Sequence, residues 1–170
     1  AVVVVPRSDR SNMPNLRTHP RILGYLGRAV SMEYTAVQQY MTQAALCETW
    51  GLKEAAERFR QETVEEMKHA ERLIQRMLKL GVAPNASRIQ PAGVARNLIG
   101  LLHQDAQLES RIIALYDEAT RFCLLMRDQE NAEFFEELLH EEMRHGTEIE
   151  HWLSDLGAPQ RREEHARVYA

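Results

Sequence analysis

Cysteine, proline and glycine are all scarce in this chain of 170 residues, at two, six and eight. The two cysteines, Cys47 and Cys123, cannot build a disulfide framework, which fits a reducing compartment. No apolar run approaches the roughly 18 residues that a membrane span needs, so no membrane partner is expected. The opening Ala1–Val5 is short for a signal-peptide core, and no basic segment precedes it. Positive charge is not in surplus either. Lys and Arg number 21 against 25 Asp and Glu, a formal charge of −4, which argues against a nucleic-acid partner held through phosphates. The few glycines and prolines lie mostly outside long periodic stretches, so the chain is written for long helices.

Four such stretches carry apolar residues in steps of three and four. The first runs from about 20 to 50, with Leu26, Val30, Glu33, Val37, Tyr40, Ala44 and Cys47 on one face. Pro20 suits its first turn. The second runs from about 52 to 80 and is closed by Gly81; the third runs from about 92 to 126; the fourth runs from about 128 to 156 and is closed by Gly157. No alternating segment argues for strands. Tight joints at Trp50-Gly51 and Arg127-Asp128 predict two antiparallel hairpins. The connector from Gly81 to Pro91 reaches roughly 36 Å when extended, against helices of roughly 45 Å. The predicted fold is all-α: a four-helix bundle of two hairpins with one long crossover. Residues 18–158 form the bundle, 1–17 an N-terminal arm and 159–170 a polar tail.

Shifting the chain against itself by 76 residues aligns Leu26–Gly81 with Leu102–Gly157 without a gap, and 14 of 56 pairs are identical. Glu33 matches Glu109, Tyr40 matches Tyr116, Cys47 matches Cys123 and Phe59 matches Phe135. Glu65-Glu66-Met67-Lys68-His69 matches Glu141-Glu142-Met143-Arg144-His145. One helical hairpin is therefore written twice.

Glu33, Glu66, Glu109 and Glu142 all fall on predicted core faces, where unpaired carboxylates are costly and repel one another. No lysine or arginine is expected on those faces. His69 and His145, each three residues after a core glutamate, share its helix face and can join it on one metal. One Glu from each of two helices, with Glu-x-x-His from each of the other two, is the ligand set of di-iron and di-manganese carboxylate bundles. Four carboxylates with two neutral imidazoles balance two divalent ions, and hard oxygens mixed with imidazole suit iron or manganese over zinc. The remaining histidines, His19, His103, His140, His151 and His165, read as surface groups, and the two cysteines as small buried thiols.

On Glu33-Tyr-Thr-Ala-Val-Gln-Gln-Tyr40, Trp50-Gly-Leu-Lys53, Glu65-Glu-Met-Lys-His-Ala-Glu71, Asp105-Ala-Gln-Leu-Glu109 and Glu141-Glu-Met-Arg-His145, the sequence resembles the bacterioferritins, within the ferritin-like superfamily. The resemblance covers roughly Ile22 to Leu156. It implies a ferroxidase centre that oxidises Fe(II) to Fe(III) with O2 or H2O2 for iron storage or detoxification. Glu33 and Glu109 would be its terminal carboxylates, Glu66 and Glu142 its bridging ones, and His69 and His145 its nitrogen ligands. Tyr40 matches the family's tyrosine beside the centre, and Tyr116 stands in the symmetric place. Met67 falls where the family presents the axial methionine to haem b across a subunit two-fold. Because Met143 holds the same repeat position, interface packing is the alternative reading of Met67. The resemblance further implies a cytoplasmic homo-oligomer built on dimers, with two iron ions per subunit and a ferredoxin-type reductant.

The sequence departs from the family beside the expected haem, where Tyr34 replaces a smaller aliphatic residue, and in two further places. The family's apolar fifth helix, which lines the pores of a 24-subunit shell, is expected to be absent or degenerate, because Gly157–Ala170 is mostly polar. Gln61 replaces a histidine of the inner-surface iron site, while Glu65 keeps a carboxylate there. Two rival functions fit the same ligands: a non-storage di-iron or di-manganese oxidase or oxygenase, and a non-enzymatic metal- or haem-carrying partner of a larger assembly. Setting the four core glutamates aside leaves 21 acidic against 21 basic residues, so the formal −4 equals the charge such a site needs.

Overall fold

A computed structural model describes residues 3–4, 18–85 and 87–158. Its helices are α1 (Pro20–Thr49), α2 (Lys53–Lys79), α3 (Leu98–Leu125) and α4 (Gln129–Asp155). The His19 side chain accepts from the Arg21 N–H at 3.1 Å, with Pro20 in the first turn, so α1 begins where the sequence placed it. The hairpin joints share one hydrogen-bond pattern. Leu52 N–H reaches the Cys47 carbonyl at 2.8 Å, and Asp128 N–H reaches that of Cys123 at 2.9 Å. Both turns need a left-handed residue. The first uses Gly51 (φ 76°), whereas the second forces Arg127 (φ 57°) into the same conformation.

The ends of the helices set their directions. Arg21 and Tyr25, near the start of α1, donate to Glu118 near the end of α3 at 3.0 and 2.7 Å. Arg76, near the end of α2, donates to Glu130 and Asn131 at the start of α4 at 2.7 and 2.8 Å. With α1–α2 and α3–α4 antiparallel, α2 and α3 therefore run the same way, and the crossover must travel the length of the bundle. Arg76 is a correction to the sequence reading, which expected no inward lysine or arginine. It is buried, but at the end of the bundle rather than among the core glutamates.

Two further differences concern the crossover. The third helix starts at Leu98 rather than near 92, because Asn97 caps it by accepting from Gly100 N–H at 2.8 Å. The residues before it are held extended by a polar stripe at every fourth position of α1. Ser31 accepts from Arg88 N–H (3.0 Å), Thr35 from Gln90 N–H (3.1 Å) and Gln39 from Gly93 N–H (2.8 Å), while Gln43 donates to the Gly93 carbonyl (2.9 Å). A side chain at Gly93 would lie 2.8 Å from Gln39 Oε1 and 2.9 Å from Gln104 Cβ, so glycine is required there. The second difference is a short antiparallel ribbon, β1 (Val3–Val4) on β2 (Val82–Ala83), where no strand was expected. Two residues a side leave the all-α class unchanged. The rest of the proposed arm and the tail at 159–170, with the question of a fifth helix, lie outside the described residues.

The core runs continuously through all four helices and contains Tyr25, Tyr40, Tyr116, Phe59 and Phe135 among its largest fully buried side chains. Cys47 and Cys123 are buried free thiols, as expected. His19, His140 and His151 are exposed and His103 half-buried; His165 lies outside the described residues.

Candidate metal centre

The bundle brings the sequence-predicted ligands together in its middle. Glu33 comes from α1, Glu66 and His69 from α2, Glu109 from α3, and Glu142 and His145 from α4, and none is more than 5% exposed. They fall into two overlapping groups. In one, Glu33, Glu66, His69 and Glu142 each offer a ligand atom within 4.8 Å of the others; in the second, Glu66, Glu109, Glu142 and His145 do. Glu66 and Glu142 belong to both, whereas each terminal glutamate and each histidine belongs to one. That division is the arrangement of two metal subsites with two shared carboxylates.

Both imidazoles turn Nδ1 toward the shared carboxylates. His69 Nδ1 lies 2.9 Å from Glu66 Oε2 and 2.7 Å from Glu142 Oε1. His145 Nδ1 lies 3.1 Å from Glu66 Oε1 and 3.4 Å from Glu142 Oε2. The rings stack with centroids 5.6 Å apart. The contacts to Glu142 are close but poorly aligned, so both its oxygens, with Glu33 Oε2 and Glu109 Oε2, are buried without a hydrogen-bond partner. Among the described residues, the only cationic side chains within ion-pair distance of the four carboxylates are the two histidines. Orphaned buried oxygens converging with two imidazoles are a donor set that divalent iron or manganese fits.

The electrostatics follow from burial and crowding. Burial pushes Glu33 and Glu109 well above the usual carboxylate range, and the neighbouring glutamates add to it. Burial also disfavours charge on the histidines and on Glu142, but their mutual attraction outweighs it. His69 is raised to about 10 and His145 to about 11, while Glu142 is held at about 2. A metal must displace protons from such a pocket, since it requires ionised carboxylates and neutral imidazoles.

Each predicted tyrosine donates across the bundle rather than along its own helix. Tyr40 donates to Glu109 and Tyr116 to Glu33, each pairing with the terminal carboxylate of the opposite hairpin. Phe59 backs Tyr40 at 6.1 Å and Phe135 backs Tyr116 at 6.2 Å. Sequence spacing offered no means of seeing this exchange of partners, which depends on how α1 and α3 face one another.

The surroundings are less symmetric than the ligands. His69 Nε2 bonds Glu141 at 2.8 Å, and Arg72 holds that carboxylate at 2.8 and 2.9 Å. Such a chain fixes a ligand ring in place. The repeat partner of Glu141, Glu65, instead pairs with Lys68 on the surface at 2.8 Å, and the further carboxylate near His145, Glu62, lies 4.0 Å from the pocket-facing Nδ1 rather than from Nε2. Met67 stands apart from the pocket. It is 54% exposed on the outside of α2, much like Met143 at 51%.

The family described as Ferritin-like domain matches residues 23–158. Bacterioferritin of Rhodobacter capsulatus is 32% identical over 134 residues, covering 79% of this chain and 83% of that protein. The chain is a member of the bacterioferritin family. The Brucella melitensis bacterioferritin is 31% identical, over 76% of this chain and 81% of the relative. A crystal structure of the Rhodobacter capsulatus bacterioferritin superposes with a TM-score of 0.80 at 30% identity, covering 84% of this chain and 89% of that one. That structure has a metal-free dinuclear site and a haem iron in a crystallographic special position. No helix among the described residues is long and apolar enough to cross a membrane.

Proposed function

We propose that the chain is a ferroxidase of the bacterioferritin type, taking up Fe(II) as substrate and returning Fe(III) for storage or detoxification. The observation that carries this reading is the pair of overlapping ligand groups sharing Glu66 and Glu142. On it, Glu33 and His69 bind one ion, Glu109 and His145 the other, and the shared carboxylates hold the two close enough to lose one electron each to a single oxidant, O2 or H2O2. Tyr40 and Tyr116 keep the terminal carboxylates aimed inward. Manganese satisfies the same donors, and iron is preferred here on family membership.

Met67 is read as the methionine that holds haem b between two subunits. Met41, Val64 and Met67 are half-exposed apolar side chains on α1 and α2, whereas their repeat partners on the second hairpin are Asp117, His140 and Met143. The thioether is an unpaired donor of a kind that holds haem iron, and haem held there would supply one-electron chemistry toward a reductant of ferredoxin type. A homo-oligomer built on such dimers follows from the same face. The rival non-storage oxidase needs a substrate cavity beside the metals. One cleft of about 440 Å³, between α1 and the crossover, is lined by none of the six candidate ligands and does not supply it.

Stopped-flow oxidation of Fe(II) tests the reading. The parent is expected to show a fast phase that Glu66→Ala and His145→Ala abolish. If both variants oxidise iron as the parent does, the assignment is wrong. In the same preparations, Met67→Leu should remove the haem absorption band and spare the fast phase.

A further inference from the structure

Two features beside the six candidate ligands break the repeat. One is Asp105, fully buried on α3 with Gln39 donating to its Oδ1 at 2.7 Å, where the first hairpin has Ala29. The other reaches a candidate ligand directly. Arg72 on α2 donates to both oxygens of Glu141 on α4, at 2.8 and 2.9 Å, and to Glu137 at 3.3 Å. Glu141 in turn meets His69 Nε2 at 2.8 Å. Side chains from α2 and α4 therefore grip this imidazole from behind, while its Nδ1 faces Glu66 and Glu142.

The matching positions undo each link. Arg72 aligns with Glu148, an acid in place of the cation, and Glu141 aligns with Glu65, which turns to Lys68 on its own helix. Among the described residues, no side chain bonds His145 Nε2. Its Nδ1 also stands farther from the shared carboxylates, at 3.1 and 3.4 Å against 2.9 and 2.7 Å for His69. An acceptor at Nε2 keeps a proton on that nitrogen, directs Nδ1 to a metal and fixes the plane of the ring. His69 is thus set for coordination before an ion arrives, whereas His145 must be ordered by the ion it binds, which lowers affinity. Flanking charge does not offset this difference. Arg72 is outnumbered by Glu141 and Glu137, while Glu62 and Glu148 have Arg58 and Arg144 near them.

We propose that Arg72 is a positioning residue of the metal centre: by clamping Glu141 behind His69, it makes the Glu33–His69 subsite fill before the Glu109–His145 subsite. The inference rests on the proposed two-subsite function and deepens it. One Fe(II) is captured and held on the clamped side. The second binds later, leaves more readily and completes the pair only when Fe(II) is plentiful.

The test titrates Co(II) alone, followed by its visible absorbance, into two single-subsite variants. Glu109→Ala leaves the Glu33–His69 subsite, and Glu33→Ala leaves the Glu109–His145 subsite. Each should bind one ion, the first about tenfold or more tightly than the second. Adding Arg72→Met should weaken binding in Glu109→Ala by about tenfold and leave Glu33→Ala unchanged. A residue that only stabilised the fold would move both alike. Arg72→Lys, which keeps the charge but not the two-pronged grip, serves if Arg72→Met does not fold and should weaken the same variant by less. Equal affinities in the two single-subsite variants, or equal losses on Arg72→Met, would overturn the loading order alone. A parent that binds no Co(II) would overturn the proposed function, and the order with it.

Discussion

The two hairpins, α1–α2 and α3–α4, match most closely around the candidate metal pocket and differ most on the face that meets the crossover and on the outside. Each gives one terminal glutamate, one shared glutamate, one histidine and one tyrosine, and each tyrosine serves the other hairpin's glutamate. Outside that set the copies diverge. The first hairpin carries the polar stripe that binds the crossover, a glycine in its turn and an apolar outer face at Met41, Val64 and Met67. The second has buried apolar residues opposite Gln39 and Gln43, Arg127 in its turn, and Asp117 and His140 on its outer face. Under the proposed function two equivalent ions need two equivalent ligand sets, whereas the crossover needs only one side.

The largest effect that would sharpen this contrast concerns Asp105, whose counterpart is Ala29. The carboxyl ionises near 3.8 in its ordinary state and near 7 in the folded protein. Between those values the unfolded chain has given up a proton that the native protein keeps. The contribution to stability therefore falls as pH rises, and the loss is complete above about 7. Asp105→Asn escapes that loss. Relative to the parent it should gain little near pH 4 and on the order of a few kcal/mol by pH 8. Urea unfolding across that range measures the difference, and an offset that does not change with pH would contradict the assignment.

A smaller effect is expected at the turns. Arg127 occupies a left-handed conformation that costs a residue with a side chain about 1 kcal/mol, and its copy, Gly51, avoids that cost. Arg127→Gly should raise stability by about that amount, and Gly51→Arg should lower it similarly. Equal stability of parent and Arg127→Gly by chemical denaturation would mean that the side chain of Arg127 repays the strain.

Much of the site was legible in the sequence because burying a glutamate is so costly that its position on an apolar face is informative. Glu33 and Glu109 stand out for that reason, and the 76-residue repeat places Glu66-x-x-His69 and Glu142-x-x-His145 as a matched pair. The helices were legible because their apolar spacing persists for some 30 residues, as in α1. The polar stripe of Ser31, Thr35, Gln39 and Gln43 was not. Uncharged polar residues spaced by four read the same whether they face water or an extended segment of the same chain. The extended stretch before α3 goes with it, since Gly93 gains its meaning only once the crossover lies on α1. Asp105 was illegible for a related reason: it stands within a family-like motif, and its partner Gln39 lies 66 residues away in sequence. The ribbon between Val3–Val4 and Val82–Ala83 is too short to leave a periodic trace.

The central claim, that Glu66 belongs to two subsites and Glu33 to one, is tested most directly by calorimetric titration of Fe(II) under anaerobic conditions. The account predicts two ions per chain in the parent, one in Glu33→Ala and no tight binding in Glu66→Ala. Identical stoichiometry in the two variants, or a single ion in the parent, would contradict it.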